Sequence, residues 1–413
     1  MKKLLLYTNF YYPEVVSIGQ IITELSEGLS EYFHVTVICA VPCYITGKIE
    51  NKYKDKRFYY EKYKGIDVIR VRVTEYPKAS KINRIKYIIS YFINSILVTF
   101  KVGKQDIVFT TSQPPILGGL LGVIGKWITK GKLVYQIMDF NPEQTIAAGY
   151  SGNKLLLKAM LYLDNYSCRK SDRVVLIGDD MRETLTKRFA NKELPKNVVI
   201  NNWIDEEAIY PLEKTHHRII EFKECYGLLD KFIIMVSGNI GLYYDYENIL
   251  KVMEGFKHDT SVAFVFVGDG AVTQKLVDYT IEYQVLNATF IPYQDKKDLL
   301  YSLNVADVHI VTNAKGIKGV SVPSKIYGVL ATNIPVWGIL EKGSEAWNII
   351  EKSGCGILAE AGDYETIKNT LAYIIKKKDK FVQTHLTGRQ FLLEYFTKQK
   401  SIELYHNLLE DIL

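Results

Sequence analysis

The chain is poor in the residues and patterns that mark several protein classes. Its 413 residues include 5 cysteines (Cys39, Cys43, Cys168, Cys225 and Cys355) with no C-x-x-C pair. That supports neither a disulfide framework nor a zinc cage and fits a reducing compartment. The 7 histidines show no metal-ligand spacing beyond the adjacent His216 and His217. No two aspartates stand two residues apart, so D-x-D is missing. G-x-S-x-G, H-E-x-x-H and G-x-x-x-x-G-K-[ST] are missing too, which removes the hydrolase elbow, the zincin helix and the P-loop. No apolar run reaches the roughly 18 residues of a membrane span; Tyr87 to Phe100 comes nearest. Lys2 and Lys3 precede only Leu4 to Leu6 before Glu14, a poor secretion signal and a good buried strand. A cytoplasmic protein is expected.

What is present is ordinary globular composition, 47% hydrophobic and 24% charged, at a length suited to two domains. The net charge of +6 is unevenly placed: residues 1–205 hold 30 Lys and Arg against 19 Asp and Glu. Such a basic half suits an anionic partner. The tyrosines are not interleaved with the cations in a nucleic-acid motif, so no nucleic acid is expected.

Short Val/Ile/Leu runs alternate with stretches of helical length. Strands are expected at 3–8, 34–40, 68–73, 106–111, 132–137, 173–177 and 198–200, with helices over 17–32 and 81–100 and a polar loop over 41–64. After residues 201–205 the pattern restarts, with strands at 232–236, 263–267, 288–291, 308–311, 335–338 and 356–358. Continuous apolar strands alternating with helices indicate parallel sheets covered on both faces. Ligands of such sheets sit beyond the carboxyl ends of the strands.

Three stretches fall at those ends. Asp139-Phe140-Asn141-Pro142-Glu143 follows a strand and offers two carboxylates, a candidate acid–base pair or simply the acidic first turn of a helix. Ser237-Gly238-Asn239-Ile240-Gly241 and Gly268-Asp269-Gly270 are strand-to-turn segments whose glycines admit a ligand or merely a tight connection; Thr273 stands where a dinucleotide fingerprint needs its third glycine. Residues 312–325 carry Lys315, Lys318 and Lys325, with Pro323 and Ser324 opening a helix. Loop, helix terminus and lysine form a candidate diphosphate cradle. Lys325 reads as a surface residue whose loss leaves folding unaffected.

With Phe10-Tyr11-Tyr12-Pro13-Glu14 and Gly19 after the first strand, and Val322-Pro323-Ser324-Lys325-Ile326-Tyr327-Gly328, Ser344-Glu345 and Gly354-Cys355-Gly356 near the end, these motifs in this order resemble the GT-B glycosyltransferases. The resemblance is to the retaining GT4 family, and within it to the WbuB-like bacterial surface-polysaccharide transferases of L-fucosamine. It implies an α/β GT-B fold: two Rossmann-like, doubly wound parallel-sheet domains facing a cleft. The first, 1–204, would hold the acceptor, and the second, 205–384, the nucleotide sugar, with a helix over about 385–413 crossing back. It further implies a retaining, metal-independent transferase without cofactor. The donor would be a UDP-sugar, of the UDP-N-acetylaminosugar kind, and the acceptor a lipid-linked saccharide of capsule or O-antigen synthesis. Donor contacts would come from Gly19, Ser237, Gly238, Asn239, Gly268, Gly270, Tyr293, Val322, Pro323, Ser324, Lys325, Tyr327 and Glu345, and catalysis from Lys325, Asp139 and Glu143. Two departures stand out. The GT4 glutamates separated by seven residues are replaced by Val320 and Gly328. The arginine and lysine after the second domain's first strand are replaced by Asn239 and Tyr244, so Lys325, with Lys315 or Lys318, is left to neutralise phosphate. A UDP-sugar 2-epimerase of the same fold and a non-enzymatic nucleotide-sugar binder are the alternatives. The apolar spacing of Ile82, Ile85, Ile89, Phe92, Ile93, Ile96 and Phe100, beside Lys81, Arg84 and Lys86, fits either a core helix or one lying on an anionic membrane surface.

Overall fold

The structure, a computed structural model, describes residues 1–14, 18–43, 46–75, 81–147, 149 and 152–413. Ser17, the expected start of the first helix, lies outside them. The chain divides into two units: Met1–Thr145, Ser151–Asn201 and Gln399–Leu413 form the first, Ile146–Tyr150 and Asn202–Lys398 the second.

The first unit is built on eight strands: β1 Lys3–Tyr7, β2 His34–Ala40, β3 Phe58–Tyr63, β4 Ile66–Val71, β5 Ile107–Thr111, β6 Lys132–Ile137, β7 Arg173–Leu176 and β8 Asn197–Val199. Their order is β3-β4-β2-β1-β5-β6-β7-β8, and every pairing is parallel except β3 with β4. The apolar runs that predicted strands are buried on both faces, as Leu4, Leu5, Leu6, Ile107, Val108 and Phe109 show. One expectation fails: β3 lies within the stretch read as a loop. Its tyrosines alternate across a half-buried edge, and Lys64-Gly65, with φ of 47° and 83°, closes a two-residue hairpin onto β4.

The second unit holds β9 Phe232–Ser237, β10 Val262–Val267, β11 Ala288–Ile291, β12 Val308–Thr312, β13 Val336–Leu340 and β14 Gly356–Glu360. All are parallel in the order β11-β10-β9-β12-β13-β14. The order reverses between β9 and β12, which opens a crevice beyond their carboxyl ends.

The division falls at Asn201, three residues before the expected boundary, and the returning segment is shorter than expected. The helix Gly388–Tyr395 stays in the second unit: Leu392 and Phe396 are buried beside Tyr327 and Leu330, and Arg389 donates to the carbonyls of Ile209 and Ala331 at 3.0 and 2.7 Å. Only the last helix joins the first unit. There Gln136 donates to the Tyr405 hydroxyl, Tyr405 meets Phe109 edge-on, and His406 stacks on Tyr32.

Candidate functional site

The two glycine turns and the Lys325 segment gather at the carboxyl ends of β9, β10 and β12. Two βα turns meet there backbone to backbone. Gly268 has φ of 135°, and a Cβ on it would lie 2.0 Å from the Gly238 carbonyl oxygen; one on Gly270 would lie 2.3 Å from that of Ile240. The glycines are therefore required by the packing of one turn on the other. Gly268→Ala is expected to cost at least about 1–3 kcal/mol, the range for backbone strain of this kind, read as a lower urea midpoint at unchanged m.

Against these turns lies Lys325, first residue of the helix Lys325–Thr332. Its aliphatic chain covers Gly238, whose Cβ would sit 3.3 Å from Lys325 Cε. Its Nζ donates to the Asn239 carbonyl at 2.9 Å and to the Tyr246 hydroxyl. The ammonium lies 4.0 Å from the ring centre of Tyr244 and 5.1 Å from that of Tyr246, and the two rings stack at 5.3 Å. The surface lysine expected from the sequence is thus half-buried in this box. None of these partners is anionic, and burial pulls its pKa from 10.5 down to about 7. A cavity of about 190 Å³ lined by Gly241, Asp245 and Tyr246 adjoins this box, whereas a larger one of about 800 Å³, in the first unit near Arg57 and Ser90, touches none of the expected site residues.

The loop before this helix does not form the cradle. The backbone N–H groups of Gly316 and Lys318 donate to Glu341 Oε2 at 2.8 and 2.9 Å. The chain's own carboxylate occupies the anion position expected for a diphosphate, and the lysine that remains directed at the turns is Lys325. The other expected donor contacts scatter. Asn239 and Ser324 are exposed, Ser237 is half-buried at the end of β9, and Tyr293 is 68% exposed after β11. Glu345, buried, opens the helix Glu345–Ser353. Val322 and Pro323 are buried, and Tyr327 is a core residue, 1% exposed and edge-on to Phe396. The position that the resemblance assigned to the donor lies here on the inward face of a helix. Gly19 lies in the first unit, where a Cβ would meet the Glu14 carbonyl at 2.6 Å; its glycine lets the preceding turn close on the helix.

In the first unit, Asp139 follows β6 with a half-buried carboxylate. Its N–H donates to Ser112 Oγ at 3.3 Å, and Gln113 Nε2 points to Oδ2 at 3.5 Å. Glu143 is differently placed. Arg188 donates Nε to it at 2.8 Å and Nη2 as well, while Nη1 reaches Asp164 and Nη2 also reaches the Asn141 carbonyl at 2.8 Å. Phe140 lies under the guanidinium at 4.4 Å, and Tyr135 donates to Asp164 at 2.6 Å. Burial opposes charge on Arg188, but the two carboxylates outweigh it and hold the group protonated; burial raises the Asp164 pKa despite Arg188. Glu143 therefore braces the turn that carries Asp139, a place in an ion-pair network where an acid–base role was expected. Neither Arg188 nor Asp164 was singled out in the sequence; each is one charged residue among others on its helix, with nothing local to mark it. Among the described residues no three His, Cys, Asp or Glu side chains converge as a metal would need.

No family model matches the chain. Its sequence is 28% identical over 269 residues to the probable glycosyltransferase WbjE of Pseudomonas aeruginosa, a match covering 63% of this chain and 65% of that protein. It is 24% identical over 338 residues to the putative colanic acid biosynthesis glycosyl transferase WcaI of Escherichia coli K12, covering 80% and 81%. The match to WbjE thus spans just under two thirds of that protein's length. The fold is shared with solved GT-B structures, among them HepE of Anabaena in complex with UDP-glucose, with a TM-score of 0.71, 12–14% identity across its complexes and, for this one, full coverage of both chains. The GT-B fold expected from the motifs is borne out, and both relatives by sequence carry the name of a glycosyltransferase, the class to which the motifs pointed.

Proposed function

We propose that the protein transfers a sugar from a nucleotide diphosphate donor, a UDP-N-acetylaminosugar, to a lipid-linked saccharide in surface polysaccharide synthesis, with retention and without a metal. The observation that carries the reading is the Lys325 ammonium at the β9/β12 crevice, held on Tyr244 with no anionic partner among its contacts. Tyr244 stands where the resembled family has its phosphate-binding lysine, and Lys325 brings a cation to that ring from another helix. The UDP-glucose bound to HepE supports the donor class; the name of WcaI, a colanic acid biosynthesis glycosyl transferase, supports the polysaccharide setting, and that of WbjE the transferase class.

In this reading the donor diphosphate sits between Lys325 and the open end of its helix. As the bond from the anomeric carbon to the phosphate oxygen breaks, negative charge collects on that oxygen, and the ammonium stabilises it more than the ground state. The acceptor hydroxyl attacks from the face the phosphate leaves, and its proton passes to the departing phosphate oxygen. The acceptor is assigned to the first unit, with Asp139 as the carboxylate that orients its hydroxyl. The protein acts in the cytoplasm, at the inner face of the membrane where a lipid-linked acceptor is met.

The test is product formation by the purified protein from UDP-N-acetylaminosugars and a lipid-linked acceptor extract. Transfer at full rate in excess EDTA is expected. Loss of transfer restored by magnesium or manganese contradicts the lysine-centred account, and release of a free epimerised monosaccharide favours the epimerase. A donor-induced rise in melting temperature without turnover favours a binder.

A further inference from the structure

We propose that the outer helical face of the first unit docks on an anionic lipid bilayer. The helix Lys81–Val102 is mounted with its less apolar side inward. Tyr87, Tyr91, Asn94, Ser95, Val98 and Thr99 are buried against the sheet, and Thr99 shares a 2.6 Å hydrogen bond with the Tyr7 hydroxyl. Ile82, Ile85, Ile89, Ile93, Leu97 and Phe100 face outward, from 39% to 68% exposed. Of the stripe read from the sequence, Phe92 and Ile96 alone turn partly inward against the core. Steps of three and four residues keep the rest on one line, about 27 Å long from Ile82 to Phe100 at 1.5 Å per residue. An ordinary sheet-covering helix has the opposite arrangement. By length and composition the stretch from Ile82 to Val102 could cross a membrane. Yet Tyr87, Tyr91 and Val98 belong to the core of the sheet, so in this fold the helix lies along a surface.

Charge selects the occupant. Residues 76–138 contain nine Lys and Arg and one acid, Asp106, and that acid receives the backbone N–H of Lys3 at 2.8 Å. The helix Leu117–Thr129 exposes Trp127 and contains no acid. The helix Lys154–Lys170 exposes Leu155, Leu156 and Tyr162 beside Lys154 and Lys158; its one acid, Asp164, is buried on Arg188. Lys126 and Lys132 are paired with Asp172, which leaves the other cations in excess; an apolar face with such a basic rim matches the boundary of an anionic bilayer, where each added cation and each buried apolar side chain strengthens attachment. A second copy of the same face would bring like charges together. All three helices follow strands of a parallel sheet, so their amino ends, with Ile82, Ile85, Leu155 and Leu156, lie at the sheet's carboxyl edge, as does the Asp139 turn. The face would thus bring a lipid-linked acceptor to that edge. This last step rests on the proposed transferase function; the docking does not.

The experiment is flotation of the full chain with phosphatidylcholine vesicles, with and without phosphatidylglycerol, at low and high salt. Binding to the anionic vesicles, weakened by salt, is expected. The Ile85→Glu, Ile89→Glu double variant should bind at least about tenfold more weakly, while its circular dichroism and its donor-induced thermal shift stay as in the wild type. Wild-type protein that stays with the soluble fraction, or a double variant that floats equally well, overturns the proposal. So does a concentration-dependent dimer that the double variant disperses without any vesicle binding, because a second copy then covers the face. The thermal shift reports the donor reading separately, so the two can fail independently.

Discussion

Lys325→Met should lower kcat by about 10²–10³, the loss seen when one preorganised donor to a developing oxyanion is removed. KM for the nucleotide sugar should change less, because the ammonium acts most strongly on charge that appears only as the glycosidic bond breaks. The same substitution should raise stability. Burial holds the Lys325 pKa near 7 against 10.5 for a free lysine, so the unfolded chain binds this proton more tightly than the folded one. Wild-type stability therefore rises as pH climbs from about 7 toward 10.5, and the burial cost is fully present below pH 7. At and below pH 7 the variant escapes that cost, and its melting temperature should exceed the wild type's by at least about 2–4 °C, the shift that 1 kcal/mol gives in a domain of this size. The gain should fade as pH approaches 10.5. A folded variant with full activity and no gain in stability would show that the ammonium is neither buried nor used. Loss of activity joined to a gain in stability is the pattern of a residue kept for function at the expense of the fold.

Arg188→Met should be the most damaging of the substitutions considered. It leaves the Asp164 and Glu143 carboxylates facing a space that held their cation. Removing one partner of a buried ion pair costs about 3–5 kcal/mol, far more than the pair itself contributes. Urea unfolding at neutral pH should show this as a lower midpoint. The deficit should shrink as the pH falls: Asp164 already holds its proton more tightly than a free aspartate, and without the guanidinium it does so at still higher pH, so acid neutralises the orphaned charge. A loss below about 1 kcal/mol would mean that the network is a solvated surface contact. Glu143→Gln, which keeps hydrogen-bonding capacity toward Arg188, should cost less than Arg188→Met and leave transfer largely intact, since the residue braces the Asp139 turn and takes no proton.

The second unit was readable because its strands are continuous Val/Ile/Leu runs bounded by glycine turns; all six fall where the pattern put them, to within a residue or two. β3 was missed because FYYEKY alternates over a half-buried edge and its tyrosines resemble a polar loop. The site was legible to the extent that it depends on local order. Pro323 and Ser324 announced the helix that Lys325 opens, and the strand ends announced the turns. Its enclosure was not legible, because Tyr244 and Tyr246 lie some 80 residues earlier and meet Lys325 only when β9 and β12 pair. The same distance hid Glu341, which closes the basic loop from the end of β13, and Arg188, which claims Glu143 from 45 residues away. Tyr327 misled for a related reason: a residue two places from a ligand-directed lysine points to the other side of its helix, into the core.

The central claim is that a nucleotide diphosphate binds at the Lys325 ammonium. Calorimetric titration of UDP a little above pH 7, repeated in buffers of different ionisation heat, tests it directly. A lysine whose pKa stands near 7 is partly neutral there, and a diphosphate arriving beside it favours the charged form. Wild-type protein should therefore bind UDP with net uptake of a fraction of a proton, and Lys325→Met should bind it more weakly with that uptake abolished. Equal affinity and equal proton uptake in the two proteins, or no UDP binding by the wild type, would contradict the account.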